Sequence, residues 1–240
     1  MNSMPKLSIV IPTKNEERYL PVLLEEISKQ TVQPFEVIVA DADSTDRTRE
    51  IAEVFGAKVV AGGLPSIGRN RGASAAAGEL IFFFDADVLL RDSRFLEHAL
   101  AEFESRGFDI ATADVGVMDG TMFDDFAHAF YNVYVRLVNR IHPHAPGFCI
   151  LVRKSLHNTI GGFDEQIVFC EDHDYAIRAS KRGKFGLLHS IKIFATTRRQ
   201  ERDGRIAMAV KYVLAEVHMF FIGPIRHDKF KYGFGYDEKK

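Results

Sequence analysis

Residues 7–13 (LSIVIPT), 35–43 (FEVIVADAD) and 80–87 (LIFFFDAD) decide the fold of this chain. Each begins as a short β-rich apolar run and ends on polar groups, at Thr13, Asp41 and Asp85. A continuous apolar run closed by turn signals reads as a strand buried on both faces, as in a parallel sheet covered by helices. Helical patterns lie between the runs. Leu20, Leu23, Leu24 and Ile27 form one stripe, with Pro21 suited to the first turn. Ser44-Thr45-Asp46 offers N-cap chemistry for a helix carrying Ile51, Ala52 and Phe55, ended by Gly56. Residues 57–61 read as a third strand, and 66–77 as an alanine-rich helix stopped by Gly78. Alternation of this kind predicts an α/β fold, a single Rossmann-like domain whose mostly parallel central sheet is flanked by helices.

Beyond Arg91 the pattern loosens. The spacing predicts helices over 93–105, 121–141, 171–182 and about 205–222, and strands over 108–113, 147–152, 185–189 and 191–196. Helix 121–141 carries Phe123, Phe126, Phe130, Leu137 and Ile141 at helical spacings; most of these are assigned to packing, although aromatics here also suit stacking on a sugar or lipid. No repeat or linker divides the chain, so residues 1–240 read as one domain. Residues 6–115 form its first half, 116–200 an acceptor-side half, and 203–240 a final helix and tail.

Composition narrows the function. With 46% hydrophobic and 27% charged residues, 240 residues suffice for one globular α/β domain. A net charge of −2 supplies no bulk attraction to nucleic acid, so any phosphate contact must come from local groups. Cys149 and Cys170 lack CxxC spacing and read as buried thiols of a reducing compartment. No stretch approaches the roughly 20 apolar residues that span a bilayer. The expectation is a cytoplasmic protein, with contact to the inner face of a membrane left open.

In open α/β sheets the ligand sits beyond the carboxyl ends of the strands. Asp41 and Asp43 follow one strand, and Asp85-Ala86-Asp87 follow another, so both clusters should open onto one crevice. Carboxylates gathered there repel one another, and a hard cation such as Mg²⁺ or Mn²⁺, completing its shell with substrate phosphates, relieves that repulsion. Turn or cap roles for Asp85 and Asp87 are the alternative.

The ordered set SIVIPTKNEERYLPVLLEEISKQT, FEVIVADADSTDRT, NRGASAAAGE, FFFDADV and GGFDE followed by EDHDYAIRASKRG resembles the family-two glycosyltransferases, over about residues 6–183. Each motif alone is modest; their order and spacing are specific. The resemblance implies a GT-A fold and metal-dependent, generally inverting transfer from a nucleoside-diphosphate sugar of UDP or GDP type. Pro12, Thr13 and Glu16 then match the loop bordering the base. Asp41 matches the first acid of the DDGS-type motif, although Ala42 and Asp43 depart from its next two positions. Asp85-Ala86-Asp87 matches the DxD motif, with Asp85 near the ribose and Asp87 on the metal, and Asp172 of Glu171-Asp172 matches the catalytic base. N-terminal helix capping is the plain alternative for Glu171, Asp172 and Asp174.

Departures and weaker signals remain. Many relatives carry a histidine after the last strand, where this chain has Ala195 or Thr196, then Thr197, Arg198 and Arg199. That arginine pair suits a phosphate clamp or, equally, a solvated basic turn. The QxxRW-type motif of processive synthases is absent. Arg69, within Gly68-Arg69-Asn70-Arg71-Gly72, reads as a contact to base or phosphate, or as a salt bridge. His142 and His144, with no Cys, Asp or Glu near in sequence, read as loop residues rather than as a metal pair. Ile206, Val210, Val213, Leu214, Val217 and Phe221 form a final stripe, followed by Phe230, Tyr232, Phe234 and Tyr236 among Arg226, His227, Lys229 and Lys231. Basic-aromatic mixtures suit a membrane interface; packing on the domain or a homodimer partner fits equally. Competing activities are a retaining transferase, a sugar nucleotidylyltransferase, for which the loop after the first strand is wrong, and a non-catalytic nucleotide-sugar-binding module. The acceptor is unconstrained.

Overall fold

Strand β1 (Leu7–Thr13) pairs in parallel with β2 (Glu36–Asp41) on one side and β4 (Leu80–Phe83) on the other, with α1 (Leu20–Ser28) as the first crossover. In this computed structural model, which describes residues 6–118, 120–139 and 141–227, α2 (Thr48–Val54) leads to β3 (Lys58–Ala61) and α3 (Pro65–Ala75) returns to β4. The chain continues through β5 (Val88–Leu89), α4 (Phe95–Ser105), β6 (Ile110–Val117), α5 (Met122–Val138), β7 (Ile150–Arg153), α6 (Lys154–Thr159) and α7 (Glu171–Ser180). It closes with β8 (Phe185–Ala195), α8 (Arg198–Asp203) and α9 (Arg205–Phe221). Strand order across the sheet is β3-β2-β1-β4-β7-β6-β8-β5. β7 runs against β4 and β6, and β5 against β8; the other pairings are parallel, so the sheet is mostly parallel.

Both faces of the sheet are buried, as the uninterrupted apolar runs demand. Ile9, Ile11, Phe82 and Phe84 point to one core with Leu20, Leu23, Phe95 and Leu96. Val10, Ile38, Phe83 and Ile150 point to the other with Phe163, Tyr175 and Ala176. Period-two alternation thus splits each run between two helical layers. Phe163 and Tyr175 stack with centroids 4.0 Å apart, and Phe163 meets Phe83 edge-on at 5.3 Å. Gly72 lets α3 lie close on β1, because a Cβ there would enter the Val10 side chain. Cys149 and Cys170 are buried free thiols.

Two expectations need correction. The strands expected at 185–189 and 191–196 are one strand, β8, with a register shift against β6 between Ala113 and Asp114. Ser190, which read as the break, leaves the ladder there with His189, and Glu102 Oε2 accepts both their N–H groups at 2.8 Å. A bulge keeps the strand whole because those donors are satisfied. The stripe over 121–141, assigned mostly to packing, faces outward: Phe123, Phe126, Phe130 and Leu137 of α5 and Ile141 just beyond it are exposed. Only Asp124 and Val135 of α5 are buried, so its packed face is narrow. Helical periodicity marks one apolar face without saying what covers it.

Candidate active site

The carboxyl ends of β1, β2 and β4 lie along one edge of the sheet. From them rise Pro12 to Glu16, Asp41 to Asp43, and Asp85 to Asp87. An open cleft lies against this edge, lined by Pro12, Glu16, Asp85, Ala86, Asp87, Arg198 and Arg199 among others. The two sequence-distant halves therefore meet: Arg198 and Arg199 come from the start of α8, more than a hundred residues after Asp87.

Arg198 forks onto Glu16, with Nη1 to Oε2 at 2.9 Å and Nη2 to Oε1 at 2.6 Å, while its Nε stands 2.8 Å from Asp87 Oδ2. Thr196 Oγ1 donates to the same Asp87 oxygen at 2.7 Å. Burial pushes the Glu16 carboxyl above its ordinary value; Arg198 pulls against that, and the nearby Asp87 and Asp85 add to it. Thr196, one of the two positions expected to stand where a histidine is common, thus touches the expected metal ligand directly.

Arg69 joins the carboxylate cluster after β4 to α7. Its side chain is buried, with Nη2 donating to Asp85 Oδ1 at 2.9 Å and Nη1 to Glu171 Oε1 at 2.8 Å. Of the two readings the sequence offered for Arg69, the structure shows the ion pair. Burial raises the Glu171 carboxyl and the neighbouring Asp172 charge adds to this, with Arg69 opposing both. Gly147 lies against the guanidinium so closely that any Cβ would collide with it. The Gly147 N–H donates to Asp172 Oδ2 at 2.7 Å, and the His173 N–H donates to Asp172 Oδ1 at 2.9 Å. Asp172 sits in the first turn of α7, where the helix dipole favours a carboxylate. Cys170, just before it, adopts φ 60°, a conformation uncommon without glycine, and turns the chain into that helix.

Asp41 stands at the end of β2 but is buried and fully engaged. It accepts from Thr13 Oγ1 (3.2 Å), Ser44 N (3.0 Å), Ser44 Oγ (2.5 Å) and Arg49 Nε (2.6 Å). Burial alone would raise its pKa, yet Ser44 and Arg49 hold it below the ordinary carboxylate value. The structure thus engages Asp41 with Thr13, Ser44 and Arg49 of α2, and links Glu171, the chain neighbour of Asp172, to the cleft residue Asp85 through Arg69; Arg69, Glu171 and Asp172 do not themselves line the cleft.

Sequence reasoning missed Lys14, His128, Phe148, Gln200 and Tyr212, which also line the cleft. His128 arrives from α5 and Tyr212 from α9, and no local pattern links either to the DAD run. Lys14 was legible only as part of the loop after β1; its Nζ donates to the carbonyls of Ala42 (2.6 Å) and Asp43 (2.5 Å).

A parallel α/β core with a carboxylate-lined cleft at the ends of its strands, closed by arginines, defines a nucleotide-sugar transferase class. Residues 8–161 match the profile of glycosyl transferase family 2, and the chain belongs to that family, whose fold is GT-A. It is 31% identical over 191 residues to a PGL/p-HBAD biosynthesis glycosyltransferase of Mycobacterium bovis, covering 72% of this chain and 69% of that one. It is 40% identical over 106 residues to a 4,4'-diaponeurosporenoate glycosyltransferase of Staphylococcus haemolyticus, covering 40% of this chain and 28% of that one. Among solved structures, the mannosyltransferase PcManGT of Pyrobaculum calidifontis in complex with GDP-Man and Mn²⁺ aligns with TM-score 0.70 at 17% identity, over 89% of this chain and 63% of that one. S. aureus TarS 1–349 in complex with UDP aligns with TM-score 0.66 at 21% identity, over 90% of this chain and 72% of that one.

Proposed function

We propose that this chain transfers a sugar from a UDP- or GDP-type donor to an acceptor hydroxyl or lipid phosphate, with inversion, and that Asp172 is the base. One observation carries the reading: Arg69 ties Asp85 on the donor side to Glu171, the neighbour of Asp172, so both halves of the chemistry share one rigid frame. Family membership and the nucleotide complexes of TarS and PcManGT support the donor class.

The donor cleft fits a divalent metal, Mn²⁺ or Mg²⁺. Asp85 and Asp87 spend one oxygen each on Arg69 and on Arg198 with Thr196, which leaves hard oxygen donors facing the cleft. The PcManGT complex contains Mn²⁺, in keeping with that donor set. When bound, such an ion would neutralise the diphosphate as it leaves. Arg198 and Arg199 line the same cleft and bring fixed positive charge to phosphate. Pro12 and Glu16 border the donor's nucleoside end. Asp172, oriented by two backbone N–H groups, takes the acceptor proton while the acceptor oxygen attacks the anomeric carbon. The bond from that carbon to the diphosphate breaks, and a single displacement inverts the centre.

The acceptor side points to a lipid surface. α5 and α9 supply His128 and Tyr212 to the cleft while turning Phe126, Phe130, Leu137, Val213, Val217 and Phe221 to solvent. Arg205 of α9 pairs with Asp124 of α5 at 2.9 Å, and Phe220 lies 6.1 Å from His142 just past α5, so the two helices run side by side. The basic and aromatic residues of 226–240, which lie almost wholly outside the described residues, match an anionic membrane interface in composition. No helix among the described residues is long and apolar enough to cross a membrane. Self-association through the same face is the competing outcome.

The test is release of nucleoside diphosphate from UDP- and GDP-sugars by wild type and Asp172→Asn. The variant should keep donor affinity within about twofold and lose turnover by about 10²–10⁴-fold. Near wild-type turnover would remove Asp172 as base, and no release by the wild type would favour a non-catalytic binding module. The anomer of the product separates inversion from retention.

A further inference from the structure

Three histidines and a carboxylate that the donor cleft does not use meet behind Asp172. His142 and His144 lie in the turn after α5, His173 follows Asp172 on α7, and Glu216 reaches in from α9. His144 is fully buried. Its Nδ1 lies 2.6 Å from the carbonyl oxygen of His142, which can only accept, so the proton belongs on Nδ1. That leaves Nε2 turned toward Glu216 Oε2, at 2.8 Å. His142 Nε2 is buried, has no hydrogen-bond partner, and stands 3.8 Å from the same oxygen. One donor atom each from His142, His144 and Glu216 lies within 4.8 Å of the others. The second carboxylate oxygen, Oε1, meets His173 Nδ1 at 2.8 Å.

We propose that His142, His144 and Glu216 bind one zinc-type transition-metal cation, at a site separate from the carboxylates of the donor cleft. The donor set carries the distinction. Two imidazoles and one carboxylate suit zinc, with water completing a tetrahedral shell, whereas Asp85 and Asp87 offer only the hard oxygens that suit magnesium or manganese. Ligands held at about 2.0–2.1 Å from a tetrahedral ion lie roughly 3.4 Å apart, so the three atoms need only small rotamer shifts to close around it. The second shell is in place as well. The His144 Nδ1–H on a backbone carbonyl is the contact that fixes the tautomer and ring plane of a metal-binding histidine. His173 Nδ1 stands 2.8 Å from Oε1 as a charge partner, without the geometry of a hydrogen bond.

The ion would join the turn before Gly147 to α9, and so brace the wall that holds the Gly147–Asp172 hydrogen bond. The local sequence concealed this site, because Glu216 lies 72 residues beyond His144. The proposal does not depend on which sugar or acceptor the cleft takes.

The experiment is calorimetric titration of Zn²⁺ alone into untagged, chelator-stripped protein without nucleotide, repeated with Co²⁺ to read coordination from its visible absorption. Wild type and Asp87→Asn should each bind one equivalent at this site with the intense bands of tetrahedral Co²⁺. His142→Gln should weaken that binding at least tenfold while keeping the wild-type circular dichroism of the metal-free protein. His142 is only partly buried, which favours folding of the variant; Glu216→Gln is the second variant should it fail. Zn²⁺ uptake abolished by Asp87→Asn, or unchanged in both His142→Gln and Glu216→Gln, overturns the proposal and leaves the cluster as an ion-pair network around Glu216.

Discussion

Arg69 shows how a single buried charge can organise a site. Its guanidinium faces Asp85, Glu171 and the field of Asp172, and these carboxylates outweigh the cost of burial and keep it charged. Removing one partner of a buried pair leaves uncompensated charge, which costs about 3–5 kcal/mol. Arg69→Met should therefore lower unfolding stability by about that much in urea and impair turnover, while Arg71→Met, at a more peripheral position with Nη1 on the Gly62 carbonyl, should change stability far less. Equal effects of the two substitutions would deny Arg69 its bridging role. From sequence Arg69 read as a contact to base or phosphate or as a salt bridge, and its partner could not be named, because Glu171 lies 102 residues away. The acids at the strand ends were legible because a buried strand that stops on Asp announces its own mouth. What could not be read was occupancy: Asp41 is consumed by Thr13, Ser44 and Arg49, while Asp85 and Asp87 keep oxygens toward the cleft.

At the scale of elements, the strands β1, β2 and β4 were readable from runs too apolar to face water on either side. The two-residue β5 and the short α6 and α8 carry too little periodicity to be seen. α5 and α9 were found as helices, but the α5 stripe was assigned mostly to packing and the α9 stripe left open between membrane, domain and partner, since the 3.6-residue period is the same whether its apolar face meets a core, a partner or a bilayer. Their exposed faces give a direct prediction. Phe126→Ser with Phe130→Ser should leave the melting temperature nearly unchanged, because both side chains are exposed. The double variant should lose flotation with anionic phosphatidylglycerol vesicles that the wild type shows. Wild type that stays with the soluble fraction and sediments as a dimer would assign the face to self-association instead.

For the whole molecule, acid sensitivity follows from buried histidine. Burial, aided by Arg178 and Lys154, pushes His157 down to about 4, while its Nδ1 lies 2.9 Å from the Tyr175 hydroxyl. The unfolded chain binds a proton near pH 6.5 and the folded one resists until about 4. Stability from this group is complete above pH 6.5, falls as pH drops from 6.5 to 4, and falls no further below that. The difference amounts to about 3 kcal/mol. Urea unfolding at pH 7.5 and 4.5 should show a loss that shrinks by that order in His157→Gln; an equal loss in both proteins would mean His157 titrates normally.

The central claim, that the carboxylate cleft is a metal-dependent donor site, meets its most direct test in calorimetry of UDP, GDP, CDP and dTDP with and without Mn²⁺. The account predicts tight, Mn²⁺-dependent binding of one nucleotide, UDP or GDP, lost in Asp87→Ala. Binding of none of them, or binding indifferent both to Mn²⁺ and to Asp87→Ala, would contradict it.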